Sequence, residues 1–499
     1  METEMTRLRA RRKPDSLRFL LLWSFLGILL PGINYYKAGL KKTGWFLMFL
    51  WLAGWAFIIQ YISDKGVKNL ALSVASDSQL IYISIFAIPA VFVLISLNFF
   101  LGFCFLPHSR LIPKKKVSAW IIAVITSLAL LAPGAVGSAY TYKTYDALNE
   151  VFSSGANSDT SKKLTYGNHK DPWADTERVN LLILGSDEGR GRVGIRPDVI
   201  MVASINTQTG KTELFNIPRN LRLVPFPEGT PGAKAFPNGF TYEEGLINSV
   251  WQWGEANANL FPDSKSPGMT ATEQAVQGAL GIDVDYHVYI NMKGFEDLVD
   301  ALGGVTVNVP RDLPKAKEGV IPTDWVKAGE NRTLEGNDAL WYVRSRAGSS
   351  DYDRMERSRC MVKGIVRSMD SYTLATNYTR LLKVMKNNFS MNIDQSDIDA
   401  WAELFERTQK GGIDGVALTN EVITPYNPDY DAVHDIVKKS IGQKDEDESP
   451  VYDTSESGTP YVVPGAEKET STPSPAVNKD NAEEAKKKAG EKDAEDKYC

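Results

Sequence analysis

Four apolar stretches crowd the first 140 residues of this 499-residue chain, at 17–30, 44–62, 80–106 and 117–139. They constrain the fold before anything else does, because such runs must find hydrocarbon or a protein core. A helix needs about 20 apolar residues to cross a hydrocarbon core of about 30 Å, and the last three stretches reach that length. The first offers 14 residues before Pro31-Gly32, or about 21 Å of helix, which is too short to cross.

Charge placement sets the expected topology. Arg7, Arg9, Arg11, Arg12 and Lys13 precede the first stretch, and Lys37, Lys41 and Lys42 follow it. Arg110, Lys114, Lys115 and Lys116 separate the third from the fourth. The positive-inside rule puts all three clusters in the cytoplasm. The first stretch then enters and leaves on one side as a re-entrant segment, three spans follow, and the chain beyond about Tyr140 lies outside. The alternative of four spans would place the C-terminal domain in the cytoplasm or leave the basic clusters outside. No cleavable signal is expected, since the first apolar stretch leads into further spans. The apolar helices carry no charge pair that would suggest a transport path, so they read as an anchor.

The remainder divides by composition. Residues 1–16 form a basic cytoplasmic N-terminus, 17–140 the membrane region, 141–178 a polar, irregular stalk, 179–440 a folded domain and 441–499 a disordered acidic tail. In the folded part, 179–184, 199–205, 212–217 and 305–309 read as strands. Helices are expected over 242–258, 271–280, 292–302, 335–343 and 354–369, with Thr270 and Glu273 as a capping box and Asn291 as an N-cap. Interleaved strands and helices predict one α/β domain. A net charge of −5 argues against a nucleic-acid binder. The three cysteines (Cys104, Cys360, Cys499) suggest no disulfide framework, and the four scattered histidines no zinc site.

Two carboxylates flank the first strand-to-strand loop: Asp187 after strand one, and Asp198 opening strand two. Paired carboxylates at a sheet edge suit a hard cation such as Mg²⁺; taken alone, they read better as a turn residue and a strand-end charge paired to Arg196. Arg219 follows a strand in Ile217-Pro218-Arg219, Arg344 and Arg346 end a helix, and Arg354 and Arg357 share a face of the next. Arginine suits bidentate phosphate binding. At an effective dielectric near 20, two guanidiniums about 6 Å apart repel by roughly 3 kcal/mol, so a gathered cluster needs acids or a bound polyanion. Asp338, Asp351, Asp353 and Glu356 are available as the acids, which leaves surface ion pairs as the alternative.

Taken together, 180–190, 196–206, Ile217-Pro218-Arg219, 281–310 (with Asp300-Ala301-Leu302-Gly303-Gly304-Val305), Leu334-Glu335-Gly336, 339–346 and 351–357 resemble the LytR-CpsA-Psr family. The resemblance covers about 179–369, its motifs in the family's order. It implies a LytR-CpsA-Psr-type domain with a central mixed sheet flanked by helices, preceded by a helical membrane anchor. It also implies an extracytoplasmic, Mg²⁺-dependent phosphotransferase of cell wall biogenesis, with a polyprenyl-pyrophosphate-linked glycan, membrane lipid and a peptidoglycan acceptor as its partners. By the same resemblance Asp187 and Asp198 are the metal-site carboxylates. Arg196, Arg219, Arg344, Arg346, Arg354 and Arg357 bind pyrophosphate, with Arg219 and Asp198 catalytic; which carboxylate accepts the hydroxyl proton stays open.

The chain departs from the family pattern in places. Pro197 and Val199 stand where small hydroxyl residues are common, Asn220 where Asp usually follows Pro-Arg, and Ser358 and Arg359 where glutamines are usual. The missing hydroxyl at Val199 keeps a non-catalytic binder in view, and water as acceptor would make the same site a pyrophosphatase.

Overall fold

The computed structural model describes residues 17–66, 73–106, 113–153, 171–186, 195–316, 319–346, 350–418, 424–442 and 498–499. The basic N-terminus, nearly all of the expected disordered tail, and Asp187 with most of its loop lie outside them. The chain falls into two units, Met1–Glu150 with Gln395–Asp399, and Val151–Asp394 with Ala400–Cys499.

The first unit is helical: α1 Leu17–Leu29, α2 Lys41–Lys65, α3 Ser78–Phe105 and α4 Pro113–Ser153, with one turn at Ile33–Lys37. Among the described residues, α2, α3 and α4 are the three helices long and apolar enough to cross a membrane. At 13 residues, α1 spans only about 20 Å. Leu20 of α1 packs with Phe99 and Phe103 of α3 and Ala119 and Ala123 of α4. The Asp77 carboxylate caps α3, accepting from the backbone N–H of Gln79 and Leu80 at 2.8 and 3.1 Å. Helix α4 continues to Ser153, so residues 141–153, expected as irregular stalk, are helical: their polar side chains continue an established helix without breaking it.

The second unit is built on a six-stranded mixed sheet in the order β10-β3-β2-β1-β4-β9. Its strands are β1 Arg178–Ser186, β2 Pro197–Asn206, β3 Thr212–Asn216, β4 Tyr286–Asn291, β9 Phe389–Met391 and β10 Ile413–Ala417. β1 pairs antiparallel with β2 and parallel with β4. Two ribbons stand apart, β5 Val305–Val309 with β8 Gly329–Leu334 and β6 Leu313–Pro314 with β7 Trp325–Val326.

Side chains alternate across a strand, and here both faces are apolar. Leu182, Leu184, Ile200, Val202 and Phe215 face a core made with α5 Val250–Ala256, α6 Pro267–Leu280 and α12 Tyr430–Ile441. Leu181, Ile183, Met201, Ala203 and Leu214 face the other way, toward α7 Met292–Ala301, α9 Asp351–Ser368 and α11 Ile398–Gly411. Between β8 and α9 lies α8 Gly336–Arg344, and α10 Ser371–Asn388 follows α9.

Three expectations are corrected. Helix 242–258 begins later, at Val250, because Glu243 and Gly245 adopt φ of 51° and 72°, a left-handed backbone that no helix continues through. Helix α6 starts at Pro267 after Ser266; Thr270 lies inside it, and Glu273, fully buried, faces His287 Nδ1 at 2.5 Å. Cys360 and Cys499 are bonded to each other, a pairing invisible in spacing because 139 residues separate them. The Asn291 cap is present, its side chain accepting from Gly294 N–H at 2.8 Å, and Gly303 and Gly304, with φ of 82° and 99°, follow the end of α7.

Candidate functional site

The second sheet face walls an apolar cavity of about 680 Å³. Leu298 of α7, Val362 and Ile365 of α9, and Trp401, Leu404 and Phe405 of α11 close it opposite the strands. It extends along β2 from Asp198 to Ile205. Seven residue steps of extended strand make that about 23 Å.

Polar groups gather where β2 begins. Asp198 lines the cavity there, with Arg219, Arg344, Arg346 and Arg354. Pro218 has no N–H to extend the ladder, so the chain leaves the sheet after β3 and Arg219 turns back. Its Nη1 donates to Asp198 Oδ1. Arg354 reaches the same residue from α9, its Nη1 donating to the Asp198 carbonyl oxygen at 2.9 Å. A capping box starts α9: the Ser350 hydroxyl accepts from Asp353 N–H, and the Asp353 carboxylate accepts from Ser350 N–H. Arg354 therefore stands in a first turn, where the helix dipole adds positive potential. Arg344 ends α8, its guanidinium 5.4 Å from the Trp341 ring centroid.

The structure brings together five of the predicted site residues at this mouth. It sends two elsewhere. Arg196 pairs with Glu243, and its Nε donates to Gln252 Oε1 at 3.0 Å. Arg357 is fully buried, its Nη2 donating to the Ser345 carbonyl and its guanidinium 5.9 Å from the Tyr342 ring. Burial pulls that guanidinium below its ordinary value, opposed by Tyr498, Tyr342 and Asp353. Asp187 lies outside the described residues. Arg359, offered in place of a glutamine, is committed to Glu356 and to the Gly415 carbonyl.

The sequence reading missed several polar neighbours. Ser186, Asn291 and Ser358 line the same cavity. The Ser186 hydroxyl is 2.6 Å from the Tyr289 hydroxyl, and Ser358 donates to the Arg354 carbonyl at 2.9 Å. Ser186 and Asn291 end the adjacent parallel strands β1 and β4 and pair in register, a signal that becomes legible only once β4 is in place.

Among the described residues, no group of three or more His, Cys, Asp or Glu is placed to hold a metal. Asp198 remains a donor of the right chemistry, a carboxylate at the cavity mouth whose Oδ1 is engaged by Arg219. A hard divalent ion bound by one or two carboxylates takes its other ligands from substrate phosphates and water, and that donor set fits.

Residues 140–444 match the profile of the LytR_cpsA_psr family. The chain is similar to the polyisoprenyl-teichoic acid–peptidoglycan teichoic acid transferase TagU of Bacillus subtilis (strain 168), 28% identical over 339 residues, 65% of this chain and 96% of that protein. TagU of Bacillus licheniformis is 27% identical over 348 residues, 66% of this chain and 97% of its own length. Among solved structures, gbs0355 from Streptococcus agalactiae superposes with a TM-score of 0.42 at 23% identity, covering 54% of this chain and 90% of that one.

Proposed function

This chain belongs to the LytR_cpsA_psr family, and we propose that it transfers a glycopolymer from a polyprenyl-pyrophosphate carrier to peptidoglycan, forming a phosphodiester link. One observation carries the reading: four arginines and Asp198 stand at the mouth of an apolar cavity of about 680 Å³. A prenyl diphosphate makes that double demand, cationic at its head and dry along its tail. The similar TagU proteins are named as polyisoprenyl-teichoic acid–peptidoglycan teichoic acid transferases, which supports a polyisoprenyl-linked donor and a peptidoglycan acceptor.

In the proposed reaction the diphosphate sits among Arg219, Arg344, Arg346 and Arg354, and the tail runs along β2. The oxygen of a peptidoglycan hydroxyl attacks the phosphorus next to the sugar. The bond from that phosphorus to the bridging oxygen breaks, and polyprenyl phosphate leaves with the electron pair. The hydroxyl proton passes to a carboxylate, for which Asp198 is the candidate at the mouth. Arginine forks positioned before the reaction stabilise charge as it shifts to the leaving phosphate. Asp198 and Asp187 would hold Mg²⁺, which would supply Lewis-acid neutralisation of that charge. Arg196 and Arg357 complete the proposed binding set only by moving from the partners they hold here.

The same reading makes the protein multi-pass, with α2, α3 and α4 crossing the membrane and the sheet-bearing unit outside the cell. The basic residues on the flanks of α2 and α4 support that orientation.

The test uses the full chain in detergent with Mg²⁺, a lipid-diphosphate-linked glycan, and peptidoglycan present or absent. Peptidoglycan-linked product that vanishes in Arg219→Ala and Asp198→Ala is expected. Binding without turnover, or phosphate release without attachment, would replace the transferase reading with a binder or a pyrophosphatase.

A further inference from the structure

Arg354 and Arg357 lie one turn apart on α9, yet only Arg354 lines the cavity. The groups around Arg357 are held by the pair Tyr498-Cys499. Tyr498 is 4% exposed. Its hydroxyl donates to Asp353 Oδ1 at 2.7 Å. Its carbonyl accepts from the Tyr342 hydroxyl at 3.3 Å, a group that also reaches the Asn308 carbonyl at 3.0 Å. Tyr342 is in turn the ring over which the Arg357 guanidinium lies.

Tyr498 is fastened by its neighbour. Cys499 is bonded to Cys360, which sits on α9 three residues, hence about one turn, beyond Arg357. A segment 139 residues away is thereby fixed to the helix that supplies Arg354 to the cavity mouth. The contacts of Tyr498 fall on that helix at Asp353 and on its packing partner Tyr342, which bracket Arg357. Removing a tyrosine from such a place opens a gap beside a buried cation. A fully buried arginine is rarely retained without partners, and hydration or an anion is what a newly opened gap would admit.

We infer that Tyr498 is a positioning residue latched by the Cys360–Cys499 disulfide: closed, it seals Arg357 inside the protein, and open, it releases Arg357 to join Arg354 in holding a diphosphate. This rests on the reading of the arginine mouth as a diphosphate site. Closing the latch joins two Sγ atoms, with loss of two protons and two electrons to an external disulfide that becomes a pair of thiols; a dithiol reverses it by exchange. An uncovered Arg357 would stand about 4.5 Å further along the α9 axis than Arg354, close enough for both to reach one diphosphate.

The experiment follows arginine modification by phenylglyoxal in the full chain in detergent, read residue by residue by mass spectrometry, with exposed Arg332 as internal reference. Arg357 should be protected in the oxidised protein and labelled after dithiothreitol. It should be labelled without reductant in Cys499→Ser and in Tyr498→Ala, with a circular dichroism melt confirming that each variant is folded. Equal labelling of Arg357 in the oxidised and reduced protein overturns the inference, as does full protection in folded Cys499→Ser. Inorganic pyrophosphate is the binding probe: one added charge-assisted contact predicts at least about tenfold tighter binding on reduction. If labelling switches while pyrophosphate binds neither state, the latch stands and the diphosphate reading falls.

Discussion

Replacing Arg219 by alanine separates two jobs that its guanidinium performs. In the folded protein it donates to Asp198, and the two side chains retain 23% and 30% of their exposure. Solvent screening limits such a pair to about 0–1 kcal/mol of stability, which for a unit of this size moves the Tm by about 2–4 °C at most. In the proposed reaction the same group makes charge-assisted hydrogen bonds to the diphosphate, each contributing about 1.5–3 kcal/mol. If one such bond is realised in the transition state, its loss lowers kcat/KM by about 10- to 150-fold. Arg219→Lys, which keeps the charge and loses the fork, should fall between. The assay is the initial rate of peptidoglycan-linked product from radiolabelled lipid-diphosphate glycan with Mg²⁺, run beside thermal melts of the same preparations. An unchanged kcat/KM refutes the assignment of Arg219. So does a Tm loss well beyond about 4 °C, since misfolding would then explain the activity.

Three other substitutions probe separate features. Ala203 faces the cavity five residues along β2 from Asp198, about 17 Å in, so Ala203→Trp should raise KM for long-tailed carriers and spare analogues whose tails end short of it; equal effects on both would show that the tail lies elsewhere. Trp173 is fully buried, its Nε1 donating to the Ala400 carbonyl at 2.9 Å and its ring edge-on to Trp401, so Trp173→Ala should cost about 3–5 kcal/mol, read by chemical denaturation. Burial raises the Glu213 carboxyl above its ordinary value of 4.5, with Lys211 opposing and Asp414 adding to the shift. A raised carboxyl contributes stability below its unfolded value and loses it as pH rises through the folded one. Glu213→Gln should therefore gain Tm relative to the parent at pH 7 and lose that advantage toward pH 4, and a pH-independent difference would contradict the assignment.

Elements whose signals are local were legible from the sequence. Val305–Val309 appears as expected, and the apolar lengths of α2, α3 and α4 marked three candidate spans. The arginine mouth was legible because motif order placed Arg219, Arg344, Arg346 and Arg354 together before any distance was known. Elements that depend on tertiary partners were not legible. β4 carries His287, whose buried partner Glu273 comes from α6, so its pattern reads as broken until both are seen. The helix 242–258 failed on two residues with left-handed backbone, one of them not glycine. The Cys360–Cys499 bond joins residues 139 positions apart, and no periodicity carries such a contact.

The two faces of the central sheet answer to different rules of variation. Behind Leu182 and Leu184 every neighbour is protein, so a change of one methylene must be matched by another residue of the same chain. On the Leu181 and Ile183 side the neighbour across the gap is, in the proposed reaction, a mobile hydrocarbon that conforms to whatever wall it meets. Substitutions there should drift freely among apolar residues of unequal size, and alternate positions along one strand would keep separate evolutionary clocks.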